Sequence, residues 1–158
     1  IPLIINNALQ GKKLPVYGDG KNVRDWLFVE DHAKAIDMVQ EQGRLFETYN
    51  VGGHNEKQNI EIINIIIDTL QEMLPADDPR RALVSKDLIT YVEDRKGHDR
   101  RYAIAPDKIK AEIGWYPETD FATGIKKTIA WFFEHEDWMK NVTSGDYQKY
   151  YDDMYANK

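Results

Sequence analysis

The stretch NIEIINIIIDTLQEML, residues 59–74, is the strongest structural signal in the chain. Its apolar side chains recur at the spacing i, i+3, i+4, i+7 and i+11, which places them along one face of an α-helix. They are Ile63, Ile66, Ile67, Leu70 and Leu74. Asn59 is a residue type that favours the N-cap, and Pro75 cannot continue a helix. The pattern therefore predicts a helix over residues 59–74 whose apolar stripe lies in the core.

Shorter elements are predicted on both sides of this helix. Helices are expected over residues 2–9, from about residue 31 to Gly43 with Ile36 and Val39 inward, over 106–113 and over 120–134. Strands are expected over residues 14–17, 26–29, 48–51, 90–93 and 100–104. Trp115, Trp131 and Trp138 are expected in the core. A chain of 158 residues fits one domain, and the irregular spacing of strands and helices predicts a mixed α/β or α+β fold.

Composition excludes several classes of partner. The formal net charge of −6 argues against nucleic acid, whose phosphates repel an acidic protein. The apolar run at residues 62–67 is far too short to span a bilayer. Absence of cysteine removes disulfides and thiolate chemistry, and fits a cytoplasmic protein. The sequence opens at Ile1 inside an apolar stretch, so we expect it to be a fragment of a longer chain.

Motifs for a self-contained enzyme are missing. Gly18-Asp19-Gly20 is followed by Val23 where a dinucleotide fingerprint needs a third glycine, and it opens no predicted helix. Tyr17 and Lys21 have the Tyr-x-x-x-Lys spacing, but the glycines between them predict a turn, whereas the catalytic pair needs one helix face. The histidines show no metal-ligand spacing. We therefore expect no catalytic, cofactor-binding or metal-binding residue in this chain.

Anion binding is better supported. Residues 95–101 read RKGHDRR, which concentrates four cationic side chains and a histidine in an acidic protein. Arginine forks bind phosphate oxygens well, although pairing with nearby carboxylates is an alternative that composition alone favours. A salt bridge to Asp25 is the matching alternative for Arg24, and a helix cap is the alternative for Asn59.

Several segments resemble extended short-chain dehydrogenase/reductase enzymes that act on sugar nucleotides. The stretches LPVYGDG at residues 14–20, RDWLFVEDH at 24–32 and YNVGG at 49–53 are shared by many members of that superfamily. Two further stretches, HNEKQN at 54–59 and DRKGHDRRYAI at 94–104, are similar to the dTDP-glucose 4,6-dehydratases. The resemblance covers almost the whole chain, which it identifies as the C-terminal, substrate-binding part of such an enzyme.

The resemblance implies an NAD-dependent lyase that converts dTDP-glucose to its 4-keto-6-deoxy form. It assigns NAD, the Tyr/Lys pair and the acid–base carboxylates to an N-terminal Rossmann half that also forms the family's homodimer. Residues 1–158 would then form one sugar-nucleotide-binding domain that is inactive alone. The substrate-binding positions that match the family are Pro15 and Tyr17 near thymine, Asn59 on the nucleotide, Arg24, Arg95 and His98 near the diphosphate or ribose, and Tyr155.

Two alternatives remain at this point. One is the same part of another sugar-nucleotide epimerase, decarboxylase or dehydratase, which the GHDRR run at residues 97–101 disfavours. The other is a stand-alone nucleotide-binding module, which the start at Ile1 disfavours.

Overall fold

The computed structural model describes residues 1–143, 145, 149 and 154. Its elements in chain order are α1 (Pro2–Leu9), β1 (Leu14–Tyr17), β2 (Val23–Asp25), α2 (Val29–Gln42), β3 (Glu56–Gln58), α3 (Asn59–Met73), β4 (Ile89–Val92), α4 (Asp107–Ile113), α5 (Phe121–Glu134) and α6 (Glu136–Thr143). Two short 3-10 turns, Pro79–Ala82 and Lys86–Leu88, lie between α3 and β4. The mixed α/β class predicted from the sequence is confirmed.

The strands form two small pairs. β1 runs parallel to β4, with Leu14 opposite Ile89 and Tyr17 opposite Val92. β2 runs antiparallel to β3, with Val23 opposite Gln58. Because parallel strands end at the same edge of a sheet, the segments that follow β1 and β4 begin side by side.

Helix α3 supplies the centre of the main core. The predicted apolar stripe is confirmed, since all its members are buried, and Ile66 and Leu70 have no exposed surface. Helix α3 contacts α1 and α5, and its stripe belongs to one buried cluster with Ile129 of α5 and Leu14 of β1. α5 begins at its N-cap Asp120, whose carboxylate accepts a hydrogen bond from the Thr123 N–H at 2.8 Å. This core holds the amino end of α3 next to the turn after β1.

A second, smaller core joins α2 to α4. Ala35, Ile109 and Trp115 are buried together there. The Trp115 indole Nε1–H donates to the Asp31 carbonyl at 3.1 Å, and the Asp31 carboxylate accepts the Thr119 N–H at 2.9 Å. Both polar groups brought into the interior are thus hydrogen-bonded, as burial requires.

Three predicted strands are wrong. Residues 26–28 are irregular, and the apolar Val29 starts α2, two residues before the predicted helix. A four-residue apolar run has no period that separates a strand from the start of a helix. Residues 48–51 have no strand partner and are instead held by the Tyr49 hydroxyl, which donates to Glu112 at 2.8 Å. Within residues 100–104, Arg101 forms an isolated bridge to Val23.

Some predictions for individual side chains are also wrong. Gln58, and not Asn59, is the N-cap of α3, in a capping box with Glu61. Ile36 faces outward and is 57 % exposed. Trp115 lies in the core as predicted, but Trp131 and Trp138 are 40 % and 49 % exposed. Those two indoles pack edge to face with ring centroids 5.2 Å apart, so each covers part of the other at the surface.

Phe46 provides a test of backbone strain. It adopts a left-handed φ of 65° while its side chain is fully exposed. Such a φ costs a bulky residue about 1–3 kcal/mol. Glycine avoids this strain, but it lowers stability by about 0.5–1 kcal/mol because its unfolded state has more conformational entropy. We expect Phe46→Gly to raise the free energy of unfolding by about 0.5–1 kcal/mol, measured by urea denaturation. Leu45→Gly is the control, because Leu45 is also strongly exposed, at 86 %, but has no positive φ, and it should give no gain. A Phe46→Gly variant no more stable than the unaltered chain would contradict the strain.

Candidate functional site

The candidate site lies where β1 and β4 end. The turn after β1 depends on Gly20, which has a φ of 72°. A Cβ atom there would lie 2.8 Å from Val16 Cγ1 and 3.0 Å from Ile60 Cβ. Gly20 O accepts the Ile60 N–H at 3.0 Å. The turn therefore packs directly on the amino end of α3, and this position requires glycine.

The segment after β4, residues 95–101, is called the cationic loop here, and backbone hydrogen bonds join it to β2. Val23 N–H donates to Arg100 O at 2.8 Å, and Tyr102 N–H donates to Val23 O at 3.1 Å. The Arg100 guanidinium adds a two-bond ion pair with Asp19, at 2.7 and 3.0 Å. This pair, led by the Arg100 hydrogen bond, lowers the pKa of Asp19 to about 2. The loop is thereby held across the turn, next to Arg24.

His98 is the meeting point of the predicted site residues. Its Nε2 atom lies 2.9 Å from Arg24 Nη2 and 3.0 Å from Arg95 Nη2. Its Nδ1 atom lies 2.6 Å from Asp94 Oδ1. The His98 side chain is only 7 % exposed. Two guanidinium groups from distant parts of the sequence therefore converge on one imidazole nitrogen.

Arg24 is held by groups that carry no charge, and it pairs with no carboxylate in the described part of the chain. It donates to Val23 O at 2.7 Å and to Asp99 O at 3.1 Å, and its guanidinium lies 4.4 Å from the centre of the Tyr102 ring. The alternative of a salt bridge to Asp25 is wrong. Asp25 instead accepts backbone N–H groups of the glycine turn that follows α2, Gly53 at 2.7 Å and Asn55 at 2.8 Å.

The arginines of the cationic loop divide into two groups. Arg100 pairs with Asp19 and Arg101 pairs with Glu56, so the carboxylate alternative holds for these two. Arg95 pairs with no carboxylate within the described residues, and its guanidinium lies 5.1 Å from the centre of the Tyr17 ring. Of the arginines near His98, Arg24 and Arg95 therefore pair with no carboxylate among the described residues, and their charge is available to a ligand.

Pro15 and Tyr17 share one face of β1. The side chains of Leu14 and Val16 alternate with them and are buried, whereas Pro15 and Tyr17 are half-buried. The Tyr17 ring also meets the His98 ring edge to face, with centroids 6.3 Å apart. The structure thus brings Tyr17 beside the two guanidinium groups, with Pro15 two residues away on the same face.

Asn59 begins α3 beside this turn. Its backbone N–H donates to Asn22 O at 3.0 Å. Because Gln58 is the helix cap, the half-buried Asn59 side chain is not used for capping. Tyr155, the last predicted position, lies outside the described residues.

Sequence reasoning missed two polar residues of the site. Asp94 binds His98 as described, and Asn22, which is 1 % exposed, donates from Nδ2 to Asp99 O at 3.2 Å. The Asn22 Oδ1 atom is buried with no hydrogen-bond partner in the described part of the chain. No residue pattern marks Asp94, because i, i+4 spacing brings side chains together only on a helix and residues 93–98 form a loop. Nothing in the sequence around Asn22 marks it.

The described residues do not fit an NAD site. Gly18 and Gly20 belong to a turn between β1 and β2, whereas a dinucleotide fingerprint joins a strand to a helix. Tyr17 lies on β1 and Lys21 beyond the turn, so they do not share a helix face. In the described ranges no group of three or more His, Asp or Glu side chains is arranged to hold a metal ion. No helix of that part has the length and apolarity to cross a bilayer.

Comparison with known proteins identifies relatives that share the sequence and the fold of this chain. Among curated proteins, dTDP-glucose 4,6-dehydratase of Shigella flexneri is 50 % identical over 158 residues, which are 100 % of this chain and 42 % of that protein. The crystal structure of dTDP-glucose 4,6-dehydratase from Bacillus anthracis in complex with NAD matches with a TM-score of 0.74 and 48 % identity, covering 87 % of this chain and 40 % of that one.

A third relative carries a second ligand. The Streptomyces venezuelae dTDP-glucose 4,6-dehydratase structure with NAD and TYD bound matches with a TM-score of 0.77 and 38 % identity, over 87 % of this chain and 39 % of that one. The chain thus spans about two fifths of the length of these relatives. The family model described as GDP-mannose 4,6 dehydratase matches residues 1–128. The resemblance seen in the sequence is therefore confirmed, and the chain belongs to the GDP-mannose 4,6 dehydratase family.

Proposed function

We propose that residues 1–158 form one sugar-nucleotide-binding unit of an NAD-dependent enzyme that converts dTDP-glucose to dTDP-4-keto-6-deoxyglucose. The relatives named above support the reaction, and the S. venezuelae structure with NAD and TYD bound supports the class of ligand. The catalytic groups and NAD belong to a part of the polypeptide beyond residues 1–158, in this proposal.

The convergence of Arg24 and Arg95 on His98 Nε2 carries the proposal. Two like charges this close repel each other, and the imidazole nitrogen between them supplies a shared acceptor but no negative charge. A diphosphate brings about two negative charges and several acceptor oxygens, so it can bridge both guanidinium groups with charge-assisted hydrogen bonds. A ligand with a diphosphate therefore offsets the repulsion between two guanidinium groups that form no direct ion pair among the described residues.

The remaining site residues suit the nucleoside. Pro15 and Tyr17 offer a half-buried apolar face on β1, against which a pyrimidine ring can pack. The Asn59 amide has both donor and acceptor atoms for the nucleotide. The site as a whole binds and orients a nucleotide, and none of its described groups is placed as a catalytic acid or base.

Nucleotide binding tests the proposal directly. Since the diphosphate is common to dTDP, UDP and GDP, any preference among them reports on contacts to the base and ribose. We expect isothermal titration calorimetry of this chain to show weak binding that is tighter for dTDP than for UDP or GDP. A preference for GDP, or no binding of any of the three at low salt, would contradict the proposal.

Charge reversal at Arg95 and at Lys96 distinguishes a direct contact with the ligand from an effect of net charge. We expect Arg95→Glu to weaken dTDP binding by about 100-fold or more, because it replaces a contacting cation with an anion beside the phosphates. Lys96→Glu changes the charge equally at the next residue, outside the contacts with His98, and should have a much smaller effect. Equal losses in the two variants would show that Arg95 acts through net charge alone.

Catalysis is expected to be absent from the isolated chain. We expect no 4-keto sugar from dTDP-glucose when NAD is added, because the described residues present no hydride-transfer site. Product formation above a blank without protein, followed by the absorbance of the 4-keto sugar in alkali, would overturn this part of the proposal.

A further inference from the structure

The hydrogen bonds around His98 define the position of its proton. Asp94 Oδ1 lies 2.6 Å from Nδ1, and an ionised carboxylate can only accept a hydrogen bond. The bond from His98, together with the Arg95 N–H at 2.8 Å, lowers the pKa of Asp94 and keeps it ionised at neutral pH. Nδ1 therefore carries the proton, and Nε2 presents its lone pair.

That lone pair is what holds the two guanidinium groups. Arg24 and Arg95 can only donate, so the atom between them has to be an acceptor. In the opposite tautomer, an Nε2–H would face two N–H donors and the Nδ1 lone pair would face the Asp94 carboxylate. The contacts with Arg24, Arg95 and Asp94 would then all be repulsive, and only the Asn22 amide nitrogen, 3.4 Å from Nδ1, could donate to the freed lone pair.

We infer that Asp94 is a positioning residue for the anion site. By fixing the Nδ1–H tautomer of His98, it makes Nε2 the acceptor that holds Arg24 and Arg95 together before the ligand arrives. This inference rests on the proposed function for the identity of the ligand, and on the contacts in the structure for the role of Asp94.

Because Asp94 is charged, the direction in which its removal changes the affinity for the ligand tests the inference. An ionised carboxylate beside an anion site repels the ligand, so by charge alone its removal should tighten binding. Positioning acts in the opposite direction, because two guanidinium groups without a shared acceptor move apart and have to be ordered again on binding. The charged groups that face the His98 ring are Arg24, Arg95 and Asp94, and the Tyr17 ring closes its edge.

Asp94→Asn is the decisive variant, since an amide can donate or accept and no longer selects one tautomer. We expect long-range nitrogen–proton NMR spectra to show the Nδ1–H form of His98 in the unaltered chain and a mixture of both forms in the variant. We expect the affinity for dTDP to fall about tenfold, by analogy with the lower end of the loss when the hydrogen-bonded support of a metal-binding histidine is removed.

Two controls separate positioning from charge and from folding. Glu93→Gln removes the same charge one residue earlier, where the exposed side chain does not touch His98, and should leave the tautomer and the affinity unchanged. In a His98→Ala background, Asp94→Asn should cause no further loss of affinity, because the group through which it acts is gone.

The outcomes distinguish this inference from the proposed function. Failure of the unaltered chain to bind dTDP contradicts the proposed function, and the NMR tautomer of His98 then still decides the role of Asp94. An unchanged tautomer in Asp94→Asn overturns the inference. So does unchanged or tighter binding of dTDP, or an affinity loss that persists without His98.

Discussion

The site depends on the backbone pairing of Val23 with the cationic loop. The hydrogen bonds from Val23 N–H to Arg100 O and from Tyr102 N–H to Val23 O join a segment that follows β1 to one that follows β4. The parallel pairing of β1 and β4 has already brought the starts of both segments to one edge. Without the bridge at Val23, Arg24 and Arg95 would lie on separate loops, and neither would share an acceptor with the other.

An acidic protein can bind an anion here because carboxylates neutralise only some of the arginines near the site. Arg100 and Arg101 are neutralised by Asp19 and Glu56, and both pairs also fasten the loop. Arg24 is held by carbonyl oxygens and an aromatic ring, which orient the guanidinium without cancelling its charge. The net charge of −6 therefore describes the surface as a whole and not the site.

The sequence predicted the helix whose apolar residues repeat regularly, and the site residues that match the family's motifs. The stripe of α3 was predicted because its apolar residues repeat with a helical period, and the strand at residues 14–17 because an extended run ends there at the turn Gly18-Asp19-Gly20. Short apolar or aromatic runs, as at residues 26–29 and 48–51, have no such period, and tertiary contacts decided their conformation. The gathering of Tyr17, Arg24, Arg95 and His98 follows the resemblance. The role of Asp94 depends on an interatomic distance, which no residue pattern contains.

A crystal structure of this chain with dTDP tests the central claim most directly. The account predicts the diphosphate between Arg24 and Arg95, with their guanidinium groups bonded to phosphate oxygens and Asn59 in contact with the nucleotide. A nucleotide bound elsewhere on the chain would contradict it. So would a diphosphate that left both guanidinium groups on His98 and touched neither.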